Sequence, residues 1–152
     1  DEAELLYKRA LEGQEEMLGP KHSDTLTTVN NLAGLFKKQN KLDEAESLYK
    51  RALKGQEEIH GPNHQYTLNT KGNLGHCLML QNNPLGREMV VDAFNKLQEG
   101  PNGIKAYHPW YTKFTKILNG EADEWFGVVS DIYSYIKVLW NMYFYKVVKM
   151  LK

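Results

Sequence analysis

The stretch DEAELLYKRALEGQEE at residues 1–16 returns as DEAESLYKRALKGQEE at residues 43–58. Aligning residues 1–42 with residues 43–84 without gaps gives 24 identities in 42 positions, and 17 of them fall in the first 22 positions. Chance similarity does not reach this level. An internal repeat of this length is typical of proteins built from stacked supersecondary units. The repeat therefore decides the fold of this part of the chain.

The repeated phrase has the spacing of an amphipathic helix. Its apolar residues recur at helical intervals, and they are Ala3, Leu6, Tyr7, Ala10 and Leu11. Residues at this spacing form one stripe along a helix. Asp1 is placed to cap the start of the helix. Gly19-Pro20 is placed to end it, because glycine caps helix ends and proline breaks helices.

A second helix is predicted from about residue 25 to about residue 39. Its inward stripe consists of Leu26, Val29, Leu32, Ala33 and Phe36. Asn40-Lys41 is predicted to form the following turn, and Asp43 is predicted to cap the next helix. A helix pair of this size cannot bury its stripe alone, so neighbouring pairs must stack on it.

A weaker third copy occupies residues 84–102, PLGREMVVDAFNKLQEGPN. It aligns with the second copy if one residue is dropped in the turn, so that Gly86 takes the place of Ala45 and Ala93 the place of Ala52. Small residues thus recur where two helices are expected to approach closely.

These residues resemble a known family, the tetratricopeptide repeat. The match consists of small residues with large ones between them, namely Ala33, Ala45 and Ala52 with Leu32, Phe36 and Tyr49. The usual period of that family is about 34 residues. The 42-residue period, the EAE-LYKRAL helix and the GP-H--TL link resemble the longer variant found in kinesin light chain. The resemblance covers about the first hundred residues.

The resemblance implies an all-α fold of stacked antiparallel helix pairs, a TPR-like α-solenoid with a concave groove. The first helix of each pair lines that groove in the family. The equivalent positions of this sequence are then expected to face the groove. They are Thr27, Asn30, Gly34 and Lys37 in one repeat and Asn69, Gly72, His76 and Met79 in the next. Some family members clamp a C-terminal carboxylate with paired lysine and asparagine. The equivalent pairs here, Asn30/Gly34 and Gly72/His76, lack the lysine. A groove of Asn, Thr and Met suits an extended peptide held by side-chain amides.

The repeats divide the chain into two predicted regions. Residues 1–102 hold the second helix of a partial repeat at 1–22, a full repeat at 23–63 and a degenerate repeat at 64–102. Residues 103–152 are predicted to be a helical extension that caps the repeats or docks on another chain.

The opening phrase is predicted to be the second helix of its unit. Its stripe residues Leu6, Tyr7, Ala10 and Leu11 are then expected to lack their natural partner. We expect either that the chain is part of a longer array or that another chain covers this face.

The last 32 residues form a long amphipathic pattern rich in aromatic residues. Its predicted docking face contains Trp125, Ile132, Tyr133, Ile136, Trp140, Tyr143 and Phe144. Three roles are open. The helix caps the last repeat, or it docks on another protein, since aromatic residues are enriched at interface cores. Alternatively it lies on a membrane surface with its lysines near the headgroups.

The composition excludes several classes of function. The net charge is zero, so there is no overall field that would attract nucleic acid. The single cysteine, Cys77, fits a reducing compartment, with the cytoplasm expected and an organellar complex as the alternative. Cys77 and the pair His60 and His64 are interpreted as a buried side chain and as local packing of a turn. No catalytic site, metal or cofactor is expected.

The sequence thus predicts a non-enzymatic interaction scaffold that binds a peptide or helical segment of a protein partner in its groove. The alternative is a structural subunit of a large assembly, either membrane-bound or organellar, in which the repeats act as a spacer. In that case the groove stays empty.

Overall fold

A computed structural model describes residues 2–99, 115–117 and 119 of the chain. All of them belong to the first of the two units into which the chain divides, residues 1–120 and 121–152. The helices are α1 (Glu2–Leu18), α2 (Ser23–Lys38), α3 (Leu42–His60), α4 (Gln65–Leu80) and α5 (Leu85–Glu99). The described residues contain no strand. The predicted all-α architecture is therefore confirmed.

Each helix packs mainly on the next one along the chain, and α2 also touches α4. This order gives stacked pairs, α2 with α3 and α4 with α5, as in a TPR-like solenoid. No helix in the described part of the chain is both long and apolar enough to cross a membrane. The predicted docking face of the tail, residues 125–144, lies outside the described residues.

The helices end where the local backbone leaves the right-handed helical region. Gly19 and Gly61 follow α1 and α3 with φ of 91° and 85°, values that glycine adopts without a Cβ penalty. Asn40 and Asn82 both have φ of 59° in the turns after α2 and α4. Asparagine tolerates this left-handed conformation better than most residues. The predicted stops at glycine and the turn at Asn40 are confirmed.

The prediction that Asp43 caps the next helix is wrong. The cap position of α3 is Lys41, whose side chain makes no capping hydrogen bond, and Asp43 is already inside the first turn. Its Oδ1 accepts a hydrogen bond of 3.0 Å from Gln81 Nε2 in the turn after α4. A carboxylate in the first turn still favours the helix through the positive end of its dipole.

Two clusters of side chains form the core. The first joins α2, α3 and α4 and consists of Leu32, Ala33, Phe36, Ala45, Tyr49, Leu74, Cys77 and Leu78. The second joins α4 and α5 to Ile117 and also contains Leu68, Val90, Ala93 and Leu97. The predicted inward stripe of α2 is buried in full. Burial of such side chains is the main stabilising contribution to an array of helices.

Small residues sit where the helices approach most closely, as predicted. Ala45, Ala52 and Ala93 are fully buried. A Cβ added at Gly75 would lie 2.7 Å from the carbonyl oxygen of Gly86, so only glycine fits the contact between α4 and α5. The third copy thus keeps the close approach of α4 and α5, although most of its other residues differ from those of the second copy.

The stripe of α1 behaves in two ways. Leu6 is 56% exposed and Ala10 is exposed, as expected for side chains without their natural partner. Tyr7 and Leu11 are half-buried, because they pack against the first core cluster, which the following helices form. Helix α1 packs mainly on α2, which leaves part of its stripe exposed.

Candidate partner-binding groove

Besides sharing the first core cluster, α2 and α4 contact each other through polar side chains. Asn73 Nδ2 donates a hydrogen bond of 3.1 Å to Asn30 Oδ1, and Asn30 Nδ2 lies 3.5 Å from Asn31 Oδ1. Asn31 and Asn73 occupy equivalent positions of the repeat. The asparagine that both copies keep thus joins the first helix of one pair to the first helix of the next.

A second contact joins the same two helices near their C-terminal ends. Lys37 Nζ lies 3.0 Å from His76 Nδ1. A lysine ammonium can only donate, so Nδ1 accepts and the ring proton stands on Nε2. Both residues are half-buried. The contact therefore holds the imidazole in one tautomer with its N–H pointing away from Lys37.

Helices α2 and α4 contain more basic than acidic residues. Helix α4 contains no aspartate or glutamate, and α2 contains only Asp24. Lys71 of α4 forms an ion pair with Asp92 of α5. Hydrogen bonds from Lys71 and then Lys96 hold the pKa of Asp92 below its ordinary value. The remaining carboxylates of the five helices lie on α1, α3 and α5, which leaves α2 and α4 rich in amides and amines.

The other predicted groove residues do not join this network. Thr27 is exposed, and its hydroxyl donates to the backbone carbonyl of Ser23 at 2.9 Å. Asn69 is half-buried, and its Oδ1 is buried without a hydrogen-bond partner among the described residues. Met79 packs against the cluster between α4 and α5.

Of the two glycines that the resemblance placed in the groove, Gly34 lies against α3 and Gly72 is buried. A Cβ at Gly34 would lie 3.5 Å from the Tyr49 hydroxyl of α3. The structure thus brings together Asn30, Lys37 and His76 and adds Asn73, which the sequence reasoning missed. The retained asparagine at positions 31 and 73 was the signal that could have found it.

The nucleophile and metal candidates are accounted for by packing. Cys77 is fully buried, and its Sγ lies 3.5 Å from the carbonyl oxygen of Leu42. Burial raises the pKa of the Cys77 thiol, with the Lys37 charge acting in the opposite direction. Such a thiol is inert. Within residues 2–99, 115–117 and 119, no group of three or more His, Cys, Asp or Glu side chains is arranged to hold a metal ion.

Comparison with known protein families gives a match to the family described as the tetratricopeptide repeat, over residues 1–58 and again over residues 30–84. No curated protein matches the chain. Such repeats form a non-enzymatic class that generally mediates protein–protein interaction. The matched residues span more than half of the chain and contain α1 to α4 with the polar contact between α2 and α4. The chain therefore belongs to the tetratricopeptide-repeat family.

Proposed function

We propose that this chain is a scaffold that holds an extended segment of a partner protein along α2 and α4. The observation that carries the proposal is the polar seam, which we define as Asn30, Lys37, Asn73 and His76. Amide groups both donate and accept, so such a seam can bond the backbone of an extended peptide whatever its side chains are.

Asn69 extends this seam in the proposal. Among the residues that the structure describes, its buried Oδ1 has no hydrogen-bond donor, and an unsatisfied acceptor costs free energy. The terminal torsion of an asparagine side chain is soft. Rotation about it turns the amide toward a partner, whose backbone N–H then satisfies the oxygen. Thr27, Lys37, His76 and Met79 complete the proposed binding residues along the two helices.

The test starts with co-purification of the chain with its partners and identification of the bound proteins. Peptides that cover an identified partner are then titrated against the wild-type chain and against Asn30→Ala and Asn69→Ala. Loss of one interfacial hydrogen bond predicts binding weaker by about tenfold. The matched control is Lys50→Ala, because Lys50 is an exposed residue of α3 whose contact is an ion pair with Glu46. Binding that none of the groove substitutions changes would contradict the proposal.

The structural-subunit alternative is favoured by one different observation. Helix α1 exposes Leu5 at 57%, Leu6 at 56% and Met17 at 84%. Exposed apolar side chains of this size are candidates for contact with another protein. An assembly that survives Asn30→Ala and Asn69→Ala but dissociates with Leu6→Glu would favour a subunit bound through α1 over a peptide-binding scaffold.

A further inference from the structure

The two links of the repeat cap the helices that follow them in the same unusual way. Both read Gly-Pro-x-His, and the histidine is the cap residue of the next helix. His22 Nδ1 accepts from the backbone N–H of Asp24 at 3.2 Å, and His64 Nδ1 accepts from that of Tyr66 at 3.3 Å. Each cap requires an unprotonated Nδ1, because a protonated ring nitrogen cannot accept.

The surroundings of the two caps differ at two equivalent positions. The residue four before the cap is Leu18 in the first link and His60 in the second. The residue two after the cap is Asp24 in the first and Tyr66 in the second. These are replacements of an apolar residue by a titratable one and of an acid by a neutral ring.

The replacements change the electrostatic environment of the cap histidine when its ring is protonated. Asp24 Oδ2 lies 3.8 Å from His22 Nδ1, so a protonated His22 gains an ion pair. The ring of His64 instead stacks on that of His60, with centroids 4.6 Å apart, and meets Tyr66 at 5.2 Å. Within the described part of the chain, a protonated His64 therefore faces a second imidazole where His22 faces the Asp24 carboxylate.

We propose that the link between α3 and α4 is an acid-sensitive joint that His64 controls, whereas the link between α1 and α2 is not. A proton on His64 Nδ1 removes the acceptor of the Tyr66 N–H. It also places a positive charge at the N-terminus of α4, where the helix dipole repels cations. The first turn of α4 then loses its cap, while the first turn of α2 keeps a charged pair in place of its cap.

The groups around His64 support this assignment. From α3 it faces His60, and from α4 it faces Tyr66. On the α2 side, Ser23 Oγ contacts His60 Nε2 at 3.1 Å. The charged residues Lys21, in the link before α2, and Glu58, in the last turn of α3, neutralise each other in an ion pair of 2.6 Å. A positive charge on the His60 ring opposes protonation of His64, which it stacks on.

The direction of the pH dependence follows from the same surroundings. Burial and then the charge of His60 lower the pKa of His64 from its ordinary value. The unfolded chain therefore binds this proton more readily than the folded one. Stability from His64 is complete above the ordinary histidine range and decreases as the pH falls through it toward the lowered pKa.

The test is amide hydrogen exchange of the full chain at about pH 7.5 and about pH 5.5, within the range in which histidine titrates. Protection relative to the intrinsic exchange rate is compared for the first turns of α4 and α2. We expect the α4 amides, above all those of Tyr66 and Leu68, to lose protection at the lower pH while the α2 amides keep theirs. Equal protection of the α4 turn at both pH values would overturn the proposal.

Two substitutions distinguish an effect of His64 on α4 from a general loss of stability at low pH. His64→Asn keeps a good cap acceptor that does not titrate, so the loss of protection should disappear. Tyr66→Asp gives the second link the carboxylate of the first and should have the same effect. The matched control His22→Asn should keep the wild-type response of α4. A response of α4 that survives both His64→Asn and Tyr66→Asp would assign the acid sensitivity to other groups.

Discussion

Helices α1 and α3 carry almost the same phrase but lie in different environments. Ala52 of α3 is fully buried, and its equivalent Ala10 of α1 is exposed. Tyr49 is 1% exposed, whereas its equivalent Tyr7 is half-buried. The cause is the number of neighbours, since α3 packs between α2 and α4 while α1 packs on α2. Identical residues are therefore buried to different extents, and contribute differently to stability, according to the helices around them.

The glycines of the phrase show the same difference at atomic scale. A Cβ added at Gly55 of α3 would lie 2.7 Å from the side chain of Leu26, but one added at the equivalent Gly13 of α1 would meet no atom within 4 Å. One glycine is needed for a close approach, and the other only weakens its helix. The same substitution made at equivalent positions of α1 and α3 can measure how much this difference contributes to stability.

The largest effect is expected at the tyrosine pair. Tyr49→Ala should lower the free energy of unfolding by about 3–5 kcal/mol, because it leaves a cavity in the first core cluster. Tyr7→Ala should cost about 1–2 kcal/mol, since the side chain is already half in water. Urea unfolding of the two variants measures both values. Equal losses would show that α1 and α3 are buried to the same extent in solution.

Effects of opposite sign are expected at the glycine pair. Gly55→Ala should destabilise by about 1–3 kcal/mol, because the new methyl group displaces the buried Leu26. Gly13→Ala should stabilise by about 0.5–1 kcal/mol, since alanine is the better helix former and meets open space. Thermal melting of both variants decides the signs. A destabilising Gly13→Ala would indicate that another surface covers α1.

The smallest effect is expected at an acidic pair of the phrase. Glu4 forms ion pairs with Lys8 at 2.7 Å and Lys41 at 3.0 Å, and the hydrogen bonds from these lysines lower its pKa from 4.5 to about 2. A lowered folded-state pKa contributes stability above the unfolded value that is lost as the pH falls. The equivalent Glu46 is paired with Lys50, which lowers its pKa first, and then with Gln81.

Glu4→Gln should therefore flatten the loss of stability between pH 4.5 and pH about 2. Glu46→Gln should do so less, because Glu46 bonds one lysine and Glu4 bonds two. Urea midpoints over this pH range measure both slopes. A steeper acid limb in Glu4→Gln than in the wild type would contradict the assignment.

The polar seam was only partly predictable from the sequence. The family resemblance selected Asn30, Lys37 and His76, and the structure brings these three to the contact between α2 and α4. The family resemblance did not select Asn73, because the residue that meets Asn30 depends on the rotation of α4 about its axis. The prediction that Asp43 caps α3 was wrong because the cap position is Lys41, two residues earlier, and Gln81 binds the Asp43 carboxylate.

The five helices, the glycine ends of α1 and α3 and the buried stripe of α2 could all be predicted from the sequence alone. These features follow from spacing and from local backbone preferences, which act within a few residues. Only the tertiary structure decided which copy of a repeated side chain is buried and which histidine cap stands beside an acid or beside another histidine. Packing decides such matters because burial and charge depend on residues that lie far apart in the chain and meet only when the helices stack.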